Sequence, residues 1–251
     1  MSSARVDVES RSWSERFAGA GGSTAYKSKL PEMIKCPSCA RPQQPRLICD
    51  SCGSPLPVPS DLDCFSALGF PRKLSIDTGA LERAYHELGR KIHPDRFASG
   101  TSTVRALSLS GTALLTRSYR TLRDPISRGL YWLELNGEKL AENNKGVPPE
   151  LAETVFEVQE QLSDLRDASG DAVAELRSEI EHRREDAAAT LEDLNAQLAR
   201  NFSRWDASPN REDVGAKHTL VTELKAILSK IAYLRTLLRD IDRGLETLRA
   251  A

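Results

Sequence analysis

From Leu151 onward, apolar residues recur every three or four positions, and this spacing commits the second half of the chain to long amphipathic helices. Leu151, Val155, Phe156, Val158, Leu162 and Leu165 mark a first helix ending at Gly170. Asp171 is read as the cap of a second, with Val173, Leu176, Ile180, Ala187, Leu191, Leu194, Leu198 and Phe202 along one face. A third begins at Ser208-Pro209 or Asn210 and carries Leu220, Leu224, Ile227, Ile231, Leu234, Leu238, Ile241, Leu245 and Leu248. Such a pattern suits either a three-helix bundle within one chain or a coiled coil joining two. The breaks at Gly170 and Pro209 favour the intramolecular bundle, expected over 148–251, with self-association through it as the alternative.

Shorter helices precede the bundle. One is expected from Leu62 to Leu68, capped by Ser60 or Asp61 and ended by Gly69 and Pro71, with Cys64 on it as a small buried residue. Asp77 caps the next, Thr78 to about Ile92, whose buried stripe is Leu81, Tyr85 and Leu88. Another runs from about Thr103 to Leu122 and stops at Asp124-Pro125; a fourth, Ile126 to Leu135, closes at Asn136-Gly137. These make one unit over 60–136, and the polar connection 136–148 is expected as a domain boundary. Within it, His93-Pro94-Asp95 interrupts the helical pattern. Pro94 cannot continue a helix and pushes His93 out of helical geometry. His93 and Asp95 are therefore expected at an exposed bend beside the positive residues Arg83, Arg90 and Lys91. Such a pair suits catalysis or the docking of a protein partner.

Four of the five cysteines form Cys36-x2-Cys39-x9-Cys49-x2-Cys52. Two residues between thiolates let both sulfurs turn onto one tetrahedral metal. An odd count in this spacing argues for metal in a reducing compartment over a disulfide framework. A separate knuckle is expected over 33–57, with Arg46, Leu47 and Ile48 as its short strand. Having no core of its own, it would draw its folding free energy from structural zinc; iron is the alternative. Pro55, Pro57 and Pro59 read as a stiff linker.

The net charge of −1 and pI of about 6.5 give no global argument for nucleic acid. No apolar run approaches the roughly 18 residues of a membrane span. No phosphate-binding glycine loop occurs, so the chain is not expected to bind nucleotide or hydrolyse ATP. His86, His182 and His218 read as surface or packing residues. Residues 1–32 are expected to be a disordered tail. Arg5, Arg11 and Arg16 give it a faint transit-peptide character, which Asp7, Glu9 and Glu15 oppose. Bacterial cytoplasm is the expected location, with the mitochondrial matrix as the alternative for a eukaryotic source.

Two helices joined through His93-Pro94-Asp95, with short helices before and after, resemble a J-domain, the co-chaperone module that stimulates ATP hydrolysis by DnaK-type chaperones. Three stretches sharpen this: Asp63-Cys64-Phe65-Ser66-Ala67-Leu68-Gly69, His93-Pro94-Asp95-Arg96-Phe97-Ala98-Ser99-Gly100, and Tyr119-Arg120-Thr121-Leu122-Arg123-Asp124-Pro125 with Arg128-Gly129-Leu130-Tyr131 beyond. They resemble the HscB branch, the J-proteins of iron–sulfur cluster assembly, across roughly residues 61–250. The resemblance implies an all-α protein that delivers an IscU-like scaffold to a DnaK/HscA-type chaperone and is no enzyme itself. It assigns His93, Pro94 and Asp95 to chaperone stimulation and Arg83, Arg90 and Lys91 to the chaperone's acidic groove. It assigns Leu151, Val155, Phe156, Glu157 and Glu160, with Tyr233 opposite, to the scaffold. Ala152 and Glu153 depart from the family, which often has large apolar residues there. Two rivals remain open: a general J-protein delivering unfolded clients, and a thiol oxidoreductase using the cysteine pairs.

Overall fold

The computed structural model describes residues 33–140, 147–208 and 214–247. The expected tail 1–32, the Pro209-Asn210 helix start and Leu248 lie outside the described residues. The described elements are strands β1 (Ile34–Lys35) and β2 (Pro42–Gln43), then helices α1 (Cys64–Leu68), α2 (Thr78–Ile92), α3 (Ser102–Arg123), α4 (Pro125–Leu135), α5 (Ala152–Asp167), α6 (Asp171–Ala207) and α7 (Val214–Thr247). Single 3-10 turns, Pro94–Phe97 and Pro149–Leu151, precede α3 and α5.

Each helix of the first unit starts at a side chain that accepts an otherwise unpaired amide. Asp77 accepts from Gly79 and Ala80, Thr101 from Val104, and Asp124 from Ser127. The short helix α1 begins later than expected, because Asp63 is its cap: one carboxylate oxygen accepts the Ser66 amide at 2.7 Å and the other binds Arg72. Gly69 ends it at φ 75°, a left-handed conformation that glycine adopts without a Cβ clash. Further along the chain, Gly170 occupies the cap position of α6, one residue before the expected cap Asp171, which is the first helical residue.

α2 and α3 form a hairpin closed by α1 on one side and α4 on the other. Leu81, Ile92, Leu115, Leu122 and Phe65 fill its centre. α5, α6 and α7 form the expected intramolecular bundle, built on Val158, Ile180, Leu198, Leu224, Ile231 and Ile241. Gly244 lets α5 approach α7 closely; a Cβ there would lie 2.5 Å from Leu162 Cδ2.

The boundary expected at 136–148 is not a break in packing, since one apolar core runs from the hairpin into the bundle. Trp132 of α4 meets Trp205 of α6 edge to face, with centroids 5.7 Å apart. The Asp206 carboxylate accepts the backbone amides of Leu74 and Ser75 at 2.9 and 2.7 Å. Arg128 is buried at the same joint. It donates to the Leu122 carbonyl at 2.8 Å and lies over the Phe202 ring. Burial lowers its pKa, against the raising influence of Asp124 and Asp206. Lys225 reaches back from α7 to Glu138 at 2.6 Å.

The N-terminal unit differs from expectation in three respects. Its paired strands are β1 and β2, with Ile34 opposite Gln43, while Ile48 makes only an isolated bridge to Pro55. Pro55, read as part of a linker, therefore belongs to the knuckle. The unit also has an apolar centre: Leu56 is fully buried against Cys36 and Cys49, and Leu47 is buried in the main core.

Candidate functional site

The four knuckle cysteines come together. Their sulfurs all lie within 4.8 Å of one another, with Cys36 to Cys52 at 3.6 Å and Cys39 to Cys49 at 3.7 Å. Bonds of ~2.3 Å from one tetrahedral zinc would set sulfur–sulfur edges of roughly 3.8 Å, so the donor set fits such an ion in number, type and spacing. The two pairs repeat one backbone design. The amide of Ala40 donates to the Cys36 carbonyl, and that of Gly53 to the Cys49 carbonyl, both at 2.9 Å. Ala40 and Gly53 share a left-handed backbone, with φ of 59° and 70°. Only at Ala40 does this cost the Cβ strain, about 1–2 kcal/mol.

The sulfurs do not hold their protons equally. Burial pushes the Cys49 thiol up, but the amides of Cys52 and Ser51 and the Gln43 side chain together bring it down to about 6. Cys52 is lowered by the hydroxyl and amide of Ser54. At Cys39 the Arg41 amide acts to lower the thiol, but burial and the neighbouring thiols outweigh it and leave it at about 11. Gln43 was not singled out by the cysteine spacing. Its Oε1 accepts the Asp50 amide at 3.2 Å, which ties β2 to the second cysteine pair.

His93-Pro94-Asp95 forms the bend that Pro94 dictates. α2 ends at Ile92, and His93 lies in extended backbone with ψ 133°. Its Nδ1 accepts the amide of Asp95 at 3.3 Å, capping the 3-10 turn. The Asp95 carboxylate sits 3.4 Å from the same Nδ1; the two side chains are 57% and 90% exposed. The backbone beneath them is held firmly. The Ile92 carbonyl accepts the buried Ser108 hydroxyl at 2.6 Å and the Thr112 hydroxyl at 3.4 Å. Arg83 and Arg90 are exposed seven residues apart on one face of α2. Lys91 is exposed on the neighbouring face, pairs with Glu87, and lines a cleft shared with the knuckle.

The expected scaffold residues divide by burial. Leu151 and Val155 are buried in the main core. Phe156 is 70% exposed, and Glu160 is exposed beside it. Glu157 pairs with Arg183 at 2.8 Å, and Tyr233 on α7 is half-buried. Cys64 is buried as expected, its amide bonded to the Tyr131 hydroxyl, and burial raises its thiol pKa. His86 and His182 lie on exposed helix faces near Glu82 and Asp186, and His218 is exposed too. Among the described residues, no helix is long and apolar enough to cross a membrane.

No family model matches the chain. Individual relatives do. The chain is 35% identical over 133 residues to a co-chaperone protein HscB homolog of Ralstonia nicotianae, covering 51% of this chain and 76% of that one. It is 36% identical over 133 residues to the HscB homolog of Bordetella avium, covering 53% and 79%. It is also 31% identical over 137 residues to an iron-sulfur cluster co-chaperone protein HscB homolog of Arabidopsis thaliana; that match spans 55% of this chain but only about half, 54%, of the plant protein. Among solved structures the fold matches human co-chaperone HscB with TM-score 0.63 at 24% identity, over 83% of this chain and 97% of that one. Chaperone HscB from Vibrio cholerae matches with TM-score 0.55 at 20% identity, over 74% and 99%.

The helical hairpin turned at His93-Pro94-Asp95 and packed on a three-helix bundle thus shares the fold of the solved human HscB structure. At the identity and coverage found with its bacterial relatives, the chain belongs to the HscB co-chaperone family. Four clustered cysteines near its N-terminus add a site able to hold a metal ion.

Proposed function

We propose that this protein brings an IscU-like iron–sulfur scaffold to a DnaK/HscA-type chaperone and stimulates the chaperone's ATPase during cluster assembly and transfer, without hydrolysing ATP itself. The observation carrying this reading is the His93-Pro94-Asp95 bend, whose side chains are exposed while its backbone is tied to α3. A rigidly presented pair of this kind acts by binding one state of a partner more tightly. If that state is the hydrolysis-ready one, its population rises and turnover speeds up. Arg83, Arg90 and Lys91 supply the electrostatic part of this contact, which salt should weaken.

The reading divides the chain into a knuckle over 33–57, a J-domain over 60–136 and a scaffold-binding bundle over 148–251. Of the scaffold candidates on α5, Phe156 and Glu160 are exposed to the scaffold, joined by Glu157 and Tyr233. Leu151 and Val155 support that surface from beneath, packed in the core. The knuckle binds one structural zinc through Cys36, Cys39, Cys49 and Cys52; iron would use the same donors. We place the protein in the bacterial cytoplasm, or in the mitochondrial matrix if its source is eukaryotic.

The test is steady-state ATPase of the cognate chaperone with this protein, with and without scaffold, beside His93→Gln. Synergistic stimulation that the variant loses is the expected result. Stimulation indifferent to scaffold but enhanced by unfolded peptide would point to a general J-protein, and no stimulation would remove the reading altogether.

A further inference from the structure

The knuckle and the His93-Pro94-Asp95 bend are distant in sequence, but a knuckle side chain and that of Ile92, which precedes the bend, lie over the same part of α3. The knuckle's own apolar cluster consists of Cys36, Cys49 and Leu56, with Ile34 and Cys39 against it. Leu47 does not join that cluster. It is 2% exposed and belongs to the main core, with Ile48 packed beside it. Its position there is defined by Gly111 of α3. A Cβ on Gly111 would fall under 3.0 Å from Ile92 Cδ1 and at 4.0 Å from Leu47 Cδ2, so both side chains lie over the same bare patch of α3. Ile92 is the last residue of α2 and precedes His93 directly. Its side chain is fully buried, and its carbonyl is the one held by Ser108 and Thr112.

Leu47 is in turn held by the metal-binding loop. Its carbonyl accepts the Leu56 amide at 3.0 Å, Ile48 bridges Pro55, and Cys49 follows one residue later. Beside this contact a cleft of ≈ 1300 Å³ opens between the knuckle and α1–α2, with Arg46 and Asp50 on one wall and Lys91 and Arg96 on the other. The knuckle is therefore coupled to the hairpin through Leu47, with Ile48 packed against the same core.

We propose that Leu47 is a positioning residue for His93 and Asp95, so that folding of the knuckle around its four cysteines is transmitted to the bend that faces the chaperone. The inference rests on the proposed role of His93 and Asp95. A knuckle that cannot close on a metal releases the Leu47–Leu56 pairing, Leu47 leaves its place over Gly111, and Ile92 gains room to move. The helix end preceding His93 then loosens while the bundle stays as it is.

Hydrogen exchange on the full-length, metal-loaded chain reads this without a chaperone. Leu47→Ala, and chelation of the parent protein, should each speed exchange at the amides of Ile92, His93, Asp95 and Arg96 by about tenfold or more, the scale of truncating a buried leucine in a local opening equilibrium. Amides of α5 to α7 should keep their parent rates, and Leu47→Met should restore the bend. In the chaperone assay Leu47→Ala should then lower stimulation, with the bundle intact. An unchanged bend in both perturbed proteins would overturn the inference. So would acceleration spread evenly through α2 and α3, which marks general destabilisation. Exchange decides the role of Leu47; His93→Gln in the ATPase assay decides the functional reading, so either can fail alone.

Discussion

Replacing Gly111 with alanine sets two effects of known size against each other. Gly111 lies inside α3 with ordinary helical backbone, so alanine gains about 1 kcal/mol of helix propensity. Against this, the new methyl group falls within 3.0 Å of Ile92 Cδ1, closer than real Cβ atoms come. Ile92 is fully buried, so its side chain must leave its rotamer or α2 must shift outward. Overpacking of this kind costs roughly 1–3 kcal/mol. Sterics should win, leaving Gly111→Ala destabilised by about 1 kcal/mol. Urea unfolding followed by tryptophan fluorescence reports it, because Trp132 and Trp205 meet edge to face at the joint between hairpin and bundle. The midpoint should fall with the slope unchanged. Ile92→Val removes the obstructing atom. Alone it should cost about 1 kcal/mol. Combined with Gly111→Ala it should cost no more than alone, a coupling of about 1 kcal/mol or more between the sites. A Gly111→Ala protein more stable than the parent, or strictly additive changes, would refute the packing argument.

Three further outcomes are expected. Phe156→Ala should leave the urea midpoint within about 0.5 kcal/mol of the parent, since the ring is largely exposed, yet weaken scaffold binding about tenfold or more by calorimetry; Leu151→Ala, cut from the core, should instead lower stability by about 2–4 kcal/mol. Chelation should remove one metal per chain by elemental analysis and melt β1 and β2 while α5 to α7 remain helical by circular dichroism. The Glu138 carboxyl is held below its ordinary 4.5 by its hydrogen bond from Lys225; its contribution is therefore present above that value and lost as pH falls through the folded pKa. Both side chains are about a third exposed or more, so the effect should stay under about 1 kcal/mol. Lys225→Met should flatten that part of the stability–pH curve, and an unchanged curve would count against the pair.

Much of the architecture follows from local rules that a single sequence displays. Asp77 and Asp124 lie just before apolar periodic runs and cap the helices there, and Pro94 breaks the run where it must. The cysteine spacing set the four sulfurs on one point because two intervening residues leave few backbone paths. Local rules failed where a residue's partner is far along the chain. Leu47 read as knuckle strand, yet its burial comes from α3, more than sixty residues away. Asp63 took the cap of α1 from its neighbours because Arg72 fixes its second oxygen. Apolar character alone also could not separate Val155 from Phe156. Adjacent positions point about 100° apart on a helix, and only the packing of α6 and α7 sent Val155 inward and left Phe156 outside. Leu228 and Leu237 were missed similarly, because α7 buries a wider stripe than its 4–3 spacing outlines.

The joint at Trp132, Trp205, Arg128 and Asp206 has a consequence for presentation. Two binding surfaces joined by a flexible linker meet their ligands at an effective concentration set by chain statistics, and that concentration falls as the linker lengthens. Here the packed joint itself holds Phe156 and His93 at a set spacing. On the proposed function the molecule would act as a strut, a cargo held at Phe156 reaching the partner at His93 at one distance and one angle, and a longer connection after Leu140 should leave that geometry untouched.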